Sequence, residues 1–407
     1  MAGVSVITLG CKLNQAESEE LRSRLESAGY APDGEPSRAY IVNTCTVTGE
    51  ADHKARHLLR RIRREHPQAL VVATGCYAQR APGELSGLAH VVVPRQERER
   101  LPETLAGMLP PSADSPARPR RRTRALVKVQ DGCNLRCSYC VVPSVRGPER
   151  SLPPEAIMGQ VKAAEEKGCR ELVITGTRVG AYRWNGTSLS GLLDLVLGKT
   201  GIERVRLSSL QPREIDDGLL SVLRDPRICP QLHLPLQSGS DRVLEAMGRP
   251  AVSEAFSSMV EALRREVAGL SITTDIMVGF PTEGEREFEQ SMALCRQLGF
   301  ARINVFPYSP RPGTRAAALP PVAKDALLAR AQKMLLLAEE CFTTFRRGFL
   351  GQEMPVLWEN EMEKGVWTGL TPNYLRVFGQ SLENVHNQVR RARLVGIHPR
   401  GLWGQLE

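Results

Sequence analysis

The chain has 407 residues, enough for two or three domains with sizeable cores. Hydrophobic residues at 42% and charged residues at 24% exclude wholesale disorder, and no apolar run nears the roughly 18–20 residues of a membrane span. Lys plus Arg total 54 against 45 Asp plus Glu, a net charge of +9 that suits a polyanionic partner without requiring one. Ten cysteines are too sparse for a disulfide scaffold. The opening residues lack a basic export signal, so a cytoplasmic protein is expected, its specially placed cysteines serving as metal ligands or reactive thiols.

In chain order, the first unit alternates strands and helices. Val4–Leu9, Ala39–Val42 and Leu70–Ala73 are apolar runs of strand length, with helical spacing over Glu17–Ala28 and Ala55–Arg64. That order implies a parallel sheet with helices on its faces. Each strand is followed within a few residues by a cysteine: Cys11, Cys45 and Cys76. Open parallel sheets bind ligands beyond the carboxyl ends of their strands. Three thiols separated by 34 and 31 residues are therefore expected to meet at one edge and form a metal site.

A Pro- and Ser-rich stretch, Pro110 to Pro119, followed by Arg120, Arg121 and Arg122, reads as an exposed basic linker. Beyond it, strand and helix repeat six times. The strands are Leu126–Gln130, Glu171–Thr175, Arg204–Ser208, Gln231–Leu234, Ser271–Met277 and Arg302–Phe306, with helices such as Pro154–Lys167, Ser253–Glu266 and Glu285–Leu298 between them. Six units fall short of a closed eightfold barrel, so an open partial barrel is expected. A long helical pattern over Ala323–Phe345 precedes a second break near Arg346. The remaining residues read as short strands: Met354–Trp358, Val366–Leu370, Tyr374–Phe378, Val389–Val395 and Trp403–Leu406. They suggest a small antiparallel β-barrel. The fold class is thus α/β, divided into 1–110, a linker 111–124, a partial (β/α)6 barrel 125–346 and a small barrel 347–407.

The strongest local motif is Cys133-Asn134-Leu135-Arg136-Cys137-Ser138-Tyr139-Cys140, just past the first barrel strand. Structural zinc normally takes four protein ligands, whereas this neighbourhood offers three thiols and no histidine. A four-iron cluster on three thiolates leaves one iron without a protein ligand. S-adenosylmethionine, through its amino and carboxylate groups, can chelate such an iron and be cleaved to a carbon radical.

The spacing of Cys133, Cys137 and Cys140 resembles the signature of the radical S-adenosylmethionine superfamily. The neighbouring Cys-Ser-Tyr-Cys-Val-Val-Pro and Arg146-Gly147 are similar to the methylthiotransferases in particular. So are Thr8-Leu9-Gly10-Cys11-Lys12-Leu13-Asn14-Gln15, Asn43-Thr44-Cys45-Thr46-Val47-Thr48 and Thr74-Gly75-Cys76-Tyr77-Ala78-Gln79. Further matches are Leu234 to Ser240, Thr274 to Pro281 and Phe306 to Ser309, so all three units are covered. The resemblance implies two [4Fe-4S] clusters, one on Cys133, Cys137 and Cys140 and an auxiliary one on Cys11, Cys45 and Cys76. It also implies that the tail is the TRAM-like barrel with which these enzymes hold RNA.

By the same resemblance, two S-adenosylmethionine molecules serve each turnover. One methylates a sulfur on the auxiliary cluster; the other yields the deoxyadenosyl radical that opens an unactivated carbon–hydrogen bond. The stretch from Asn43 to Thr48 with Ala51-Asp52 resembles the branch acting on N6-threonylcarbamoyladenosine in tRNA, at C2 of position 37 beside the anticodon. The isopentenyladenosine branch usually has Arg where this chain has Thr48, and the branch modifying a ribosomal protein aspartate differs in the same stretch. Thr282-Glu283-Gly284 and Arg183-Trp184 depart from the family pattern, both in expected loops. The implied partners are tRNA, through its anticodon stem-loop, S-adenosylmethionine and an external electron donor, with no membrane. An RNA-binding protein with structural zinc sites is the reading from another class.

Thr177, Ser209 and Gln237 fall just past barrel strands and are candidate S-adenosylmethionine contacts, with strand-end packing as the alternative. Tyr139, between two cluster ligands, is a candidate to line the adenine site or to shield the cluster. Cys169, Cys229, Cys295 and Cys341 have no partner spacing and are expected to be buried thiols. His53, His57, His66 and His233 show no ligand pattern. Lys54, Arg56, Arg60, Arg61, Arg63 and Arg64 form a basic helix stretch, and Arg118 to Arg124 a second basic run; each suits phosphate or, equally, a solvated surface.

Overall fold

The structure is a computed structural model and describes residues 3–33, 37–111, 122–250 and 253–407. Most of the expected linker, including Arg118, Arg120 and Arg121, lies outside the described residues. The chain forms two compact units. The first comprises residues 1–120 with 131–149 and 309–317; the second comprises 121–130, 150–308 and 318–407. The cysteine-triplet loop therefore clusters with the amino-terminal sheet, although it opens the barrel in sequence.

The first unit is built on five parallel strands: β1 (Gly3–Thr8), β2 (Ala31–Pro32), β3 (Ser37–Thr44), β4 (Leu70–Gly75) and β5 (Val91–Val92), in the order β2-β1-β3-β4-β5. Helix α1 spans Lys12–Ser27, α2 Gly49–Glu65 and α3 Cys76–Arg80. The period-2 alternation of the strands sends side chains to two cores. Val6 and Ile41 pack with Leu21 and Leu25 of α1 on one face; Val42 and Val71 pack with Leu58, Leu59 and Ile62 of α2 on the other. The α2 start is fixed by Thr48, whose hydroxyl accepts from the Ala51 N–H at 3.1 Å, a cap worth about 1 kcal/mol.

The register matters for function. Thr8 pairs with Asn43, and Asn43 with Thr74, so three strands end in one row. Cys11, Cys45 and Cys76 emerge within three residues of that row.

The second unit holds six parallel strands in two sheets, 204–207, 171–175, 124–128 and 231–233, 271–278, 302–307. Parallel bridges Val205–Ile228 and Ser209–His233 link the two sheets into one partial barrel. Alternation sorts many of its residues onto two faces. Leu172, Ile174, Val205, Leu207, Leu232 and Ile272 join the large apolar core. The alternate positions carry a polar set: Glu171, Arg206, Gln231, His233, Thr273, Asp275 and Asn304.

The last residues close a five-stranded barrel in the order 353–363, 366–370, 376–380, 401–406, 389–398, with four antiparallel pairs and one parallel pair between 376–380 and 401–406. It is fastened to the partial barrel of the same unit by strand-start cations. Arg204 donates to the Leu370 carbonyl at 2.9 Å, and Arg206 to the Pro372 carbonyl at 2.8 Å. The Arg206 guanidinium also lies 4.6 Å from the Tyr374 ring centroid and pairs with Glu171, both side chains fully buried. Arg183–Trp184, expected in a loop, instead pairs with Thr187–Ser188 as a short hairpin.

Candidate metal and cofactor sites

In the first unit Cys11 and Cys76 face one amide, which also holds the turn that carries Cys45. Asn14, one turn into α1, donates through Nδ2 to the carbonyls of Leu9 (2.8 Å) and Thr44 (3.2 Å), pinning the two strand-end turns together. Its Oδ1 faces the Cys11 sulfur at 3.8 Å and the Cys76 sulfur at 4.0 Å. Gly10, at φ +106°, makes the turn possible: a Cβ there would stand 2.7 Å from Cys45 Cβ and 3.1 Å from its sulfur. Cys11 is exposed and caps α1, where unpaired backbone N–H groups favour negative charge; Cys45 and Cys76 are buried.

Burial pushes the Cys45 thiol up to about 11, with Cys76 and Cys11 adding repulsion between thiolates. It raises the Cys76 thiol as well, against the pull of Arg146. Left to themselves these two thiols stay protonated at neutral pH, and a metal that binds them must displace protons.

Arg146 supplies the positive charge beside them and is 5% exposed. Its Nη2 donates to Asn14 Oδ1 at 2.6 Å, and its Nη1 to Glu17 at 3.1 Å and Asp131 at 3.0 Å. Arg95 pairs with both carboxylates, and Arg98 with Glu17 at 3.1 Å. Burial works against the Arg146 charge, but Cys76, Glu17 and Cys11 outweigh it and its pKa rises. Arg98 also reaches Glu20 at 3.6 Å, so three guanidiniums stand against three carboxylates, and Arg146 is the cation placed beside Cys11 and Cys76.

The second triplet sits in the same unit. Cys133, Cys137 and Cys140 are partly buried in a loop held at both ends. The Cys133 N–H donates to the Gly147 carbonyl (3.1 Å), the Cys140 N–H to the Cys137 carbonyl (3.1 Å), and the Leu135 N–H points at the Cys133 sulfur (3.4 Å). Gly132, at φ +75°, has no room for a side chain: a Cβ would lie 2.0 Å from the Pro148 carbonyl oxygen. The returning segment adds a bond from the Ala316 N–H to the Ser138 carbonyl at 2.8 Å. The two cysteine sets are joined by packing, because Cys76 forms one apolar cluster with Val141 and Val145, and Val141 directly follows Cys140.

Among the described residues, no group of three or more His, Cys, Asp or Glu side chains is gathered as a single-ion site. Each set offers three thiols, which would bind three corners of a four-iron cluster and leave the fourth iron without a protein ligand. The donor sets fit.

In the second unit Thr177, Ser209 and Gln237 each stand just past the carboxyl end of a parallel strand, and all three are half-buried. Gln237 has a left-handed φ of +73°, fixed by its N–H donating to the Asp275 carbonyl (2.8 Å) and its carbonyl accepting from Met277 (2.9 Å). Such strain in a non-glycine residue is typical of sites where a side chain must be aimed. Tyr139 is half-buried in the first unit. Cys229, Cys295 and Cys341 are buried, and Cys169 is partly so.

Several residues at these sites were given no role by the sequence, although Asn14, Thr46, Asp52, Arg146 and Asp275 lie within the quoted motifs. Asn14, Glu17, Arg95, Asp131 and Arg146 are one example. His233 is another: its ring nitrogens lie 2.9 Å from Thr273 Oγ1 and 3.2 Å from Asp275, which also accepts from Asn304 (2.9 Å). A third group surrounds Asp52, which accepts from Thr46 (2.5 Å), Arg80 (3.0 Å) and Arg311 just past Cys45. Of these, Asn14, Glu17 and Asp52 sit on helices, where burial of a polar residue is the exception.

Comparison with known proteins agrees with this layout. Residues 127–295 match the model of the radical SAM superfamily, and residues 3–93 match Uncharacterized protein family UPF0004. A solved structure of the radical S-adenosylmethionine methyltransferase TsrM from Kitasatospora setae, with cobalamin and a [4Fe-4S] cluster bound, superposes with a TM-score of 0.56 at 15% identity, covering 78% of this chain and 77% of that one. That likeness is one of fold. Among curated relatives, the threonylcarbamoyladenosine tRNA methylthiotransferase MtaB of Thermotoga maritima is 36% identical over 92% of this chain and 91% of its own length. The Bacillus subtilis protein of the same name is 31% identical over 97% and 94%. A tRNA-2-methylthio-N(6)-dimethylallyladenosine synthase from Chloroflexus aurantiacus is 33% identical over 98% and 90%. The chain belongs to the radical S-adenosylmethionine methylthiotransferase family, whose cofactors are S-adenosylmethionine and [4Fe-4S] clusters. No helix among the described residues is long and apolar enough to cross a membrane.

Proposed function

We propose that this protein adds a methylthio group to C2 of N6-threonylcarbamoyladenosine at position 37 of tRNA, using two S-adenosylmethionine molecules per turnover. The observation that carries the reading is the meeting of Cys11, Cys45 and Cys76 at one sheet edge, in the same compact unit as Cys133, Cys137 and Cys140. Cys133, Cys137 and Cys140 would hold the cluster that takes S-adenosylmethionine, and Cys11, Cys45 and Cys76 the auxiliary one. When bound, these groups supply the electron that cleaves one S-adenosylmethionine and the sulfur that the other methylates. No acidic proton exists at the target carbon, so acid–base chemistry alone cannot open it.

The chain's own residues bind and orient. Asn14 locks the turns carrying Cys11 and Cys45, and Arg146 ties that cradle to the triplet loop through Asp131. Burial of Cys45 and Cys76 keeps water from one side of the cradle. Tyr139, Thr177, Ser209 and Gln237 hold S-adenosylmethionine in this reading. An external electron donor, a cytoplasmic setting and the segment limits 1–110, 125–346 and 347–407 belong to it as well.

The test is anaerobic turnover of reconstituted protein with S-adenosylmethionine, a strong reductant and tRNA bearing threonylcarbamoyladenosine, dimethylallyladenosine or neither. Nucleosides are read by mass spectrometry. A methylthio gain on threonylcarbamoyladenosine alone is expected. A gain on dimethylallyladenosine alone would overturn the substrate, and no deoxyadenosine from protein carrying both clusters would overturn the chemistry.

A further inference from the structure

The small barrel of residues 348–407 is electrically neutral, with six Lys plus Arg and six Asp plus Glu. Four of its arginines lie beside acidic side chains, Arg391 and Arg393 near Glu353, Arg390 near Glu383 and Arg376 near Glu359. Polyanion binding draws much of its strength from cations that displace counterions. The chain's net charge of +9 therefore lies outside this barrel.

Helix α2 has the right surface. From His53 to Arg64 it carries six Lys and Arg and no Asp or Glu. At 100° per residue, Ala55, Leu58, Leu59 and Ile62 fall on the face buried against the sheet, and His53, His57, Arg60, Arg61 and Arg64 form a stripe on the opposite, exposed face. Arg61 and Arg64 have only Glu65 nearby, each at 3.8 Å, and Arg60 has no acidic partner among the described residues. Exposed pairs of that length contribute little and yield readily to a phosphate. The His53 and His57 rings are stacked at 6.5 Å between centroids, offering flat exposed surface beside the cations. The helix begins four residues after Cys45, and the stripe from His53 to Arg64 spans about 17 Å, room for two or three phosphates of a single strand.

We propose that the exposed face of α2 is an RNA-phosphate track, which leads the strand flanking the target nucleoside toward the edge carrying Cys11, Cys45 and Cys76. The inference rests on the tRNA reading above. It assigns most of the salt-sensitive part of RNA affinity to the amino-terminal unit, leaving shape and stacking to the barrel.

The experiment uses the full reconstituted chain and an anticodon stem-loop RNA, with binding followed by fluorescence anisotropy across a salt series. The triple variant R60Q/R61Q/R64Q should bind at least about 10-fold more weakly, and its slope of log K against log salt should fall by about 2–3. A matched control, K162Q/K167Q/R265Q, removes three exposed cations on or at the ends of helices of the second unit and should leave both unchanged. Iron content and the thermal melt report whether each variant is folded. An unchanged slope in a folded R60Q/R61Q/R64Q protein overturns the track. If the wild-type chain fails to bind the stem-loop at low salt, the tRNA reading itself falls.

Discussion

Arg146 shows how one side chain can serve both cysteine sets. A guanidinium has five donors in a planar fork, and here they reach an amide and two carboxylates on different segments. Replacing it by Leu leaves Glu17 and Asp131 buried with fewer cations, which should cost on the order of 3 kcal/mol in a denaturant melt. Arg146→Lys keeps the charge but cannot span the three partners. It should retain more stability than Arg146→Leu yet still lose iron faster to a chelator than the wild type. Equal stability and equal iron loss in all three proteins would show that the network is incidental. The cysteines were legible in the sequence because each follows a strand. Glu17 and Asn14 were not, since a polar residue in an amphipathic helix ordinarily faces water, and only the folded strand ends reveal that these two are 0% and 1% exposed.

At the scale of elements, the turn after each strand does the work. Gly10 takes a left-handed φ and abuts Cys45, so Gly10→Ala should strain the turn and push Cys45 out of place. The expected outcome is loss of about half the iron with the cluster on the triplet retained, read by iron analysis and electron paramagnetic resonance; full iron in G10A would contradict it. The parallel strands and long helices were plain from periodicity, because each buries a continuous apolar stripe. The two-residue edge strands β2 and β5 and the five-residue helix α3 were not, being too short to show any period. Helix starts also came late. Lys12 to Ala16 of α1 and Gly49 to Lys54 of α2 carry mixed polarity; the start of α2 is fixed by the Thr48 cap, whereas Cys11 at the start of α1 makes no side-chain cap bond. The polar barrel interior around His233 and Asp275 was hidden for a related reason. In a strand reading Gln-Leu-His-Leu, the apolar residues announce the outer core, while the polar ones look like solvent positions.

For the whole molecule, the division into two compact units cuts across the sequence order. Residues 131–149 and 309–317 cluster with the amino-terminal sheet, so the unit that carries Cys11, Cys45 and Cys76 also carries the triplet. In the other unit, the terminal barrel is fastened to the partial barrel through Arg204 and Arg206. Arg206→Ala strands Glu171 as a fully buried carboxylate and should destabilise that unit by about 3–5 kcal/mol, visible as an earlier thermal transition. An unshifted melt would mean the pair is dispensable.

The central claim is that six cysteines form two separate three-thiolate cluster sites. Iron and acid-labile sulfide, measured after anaerobic reconstitution, test it most directly in the wild type and in the variants C11A/C45A/C76A and C133A/C137A/C140A. The wild type should bind about eight irons per chain and each variant about four, the first keeping and the second losing the spectral change on adding S-adenosylmethionine. Loss of all the iron in a folded C11A/C45A/C76A protein, or loss of none, would contradict two independent sites.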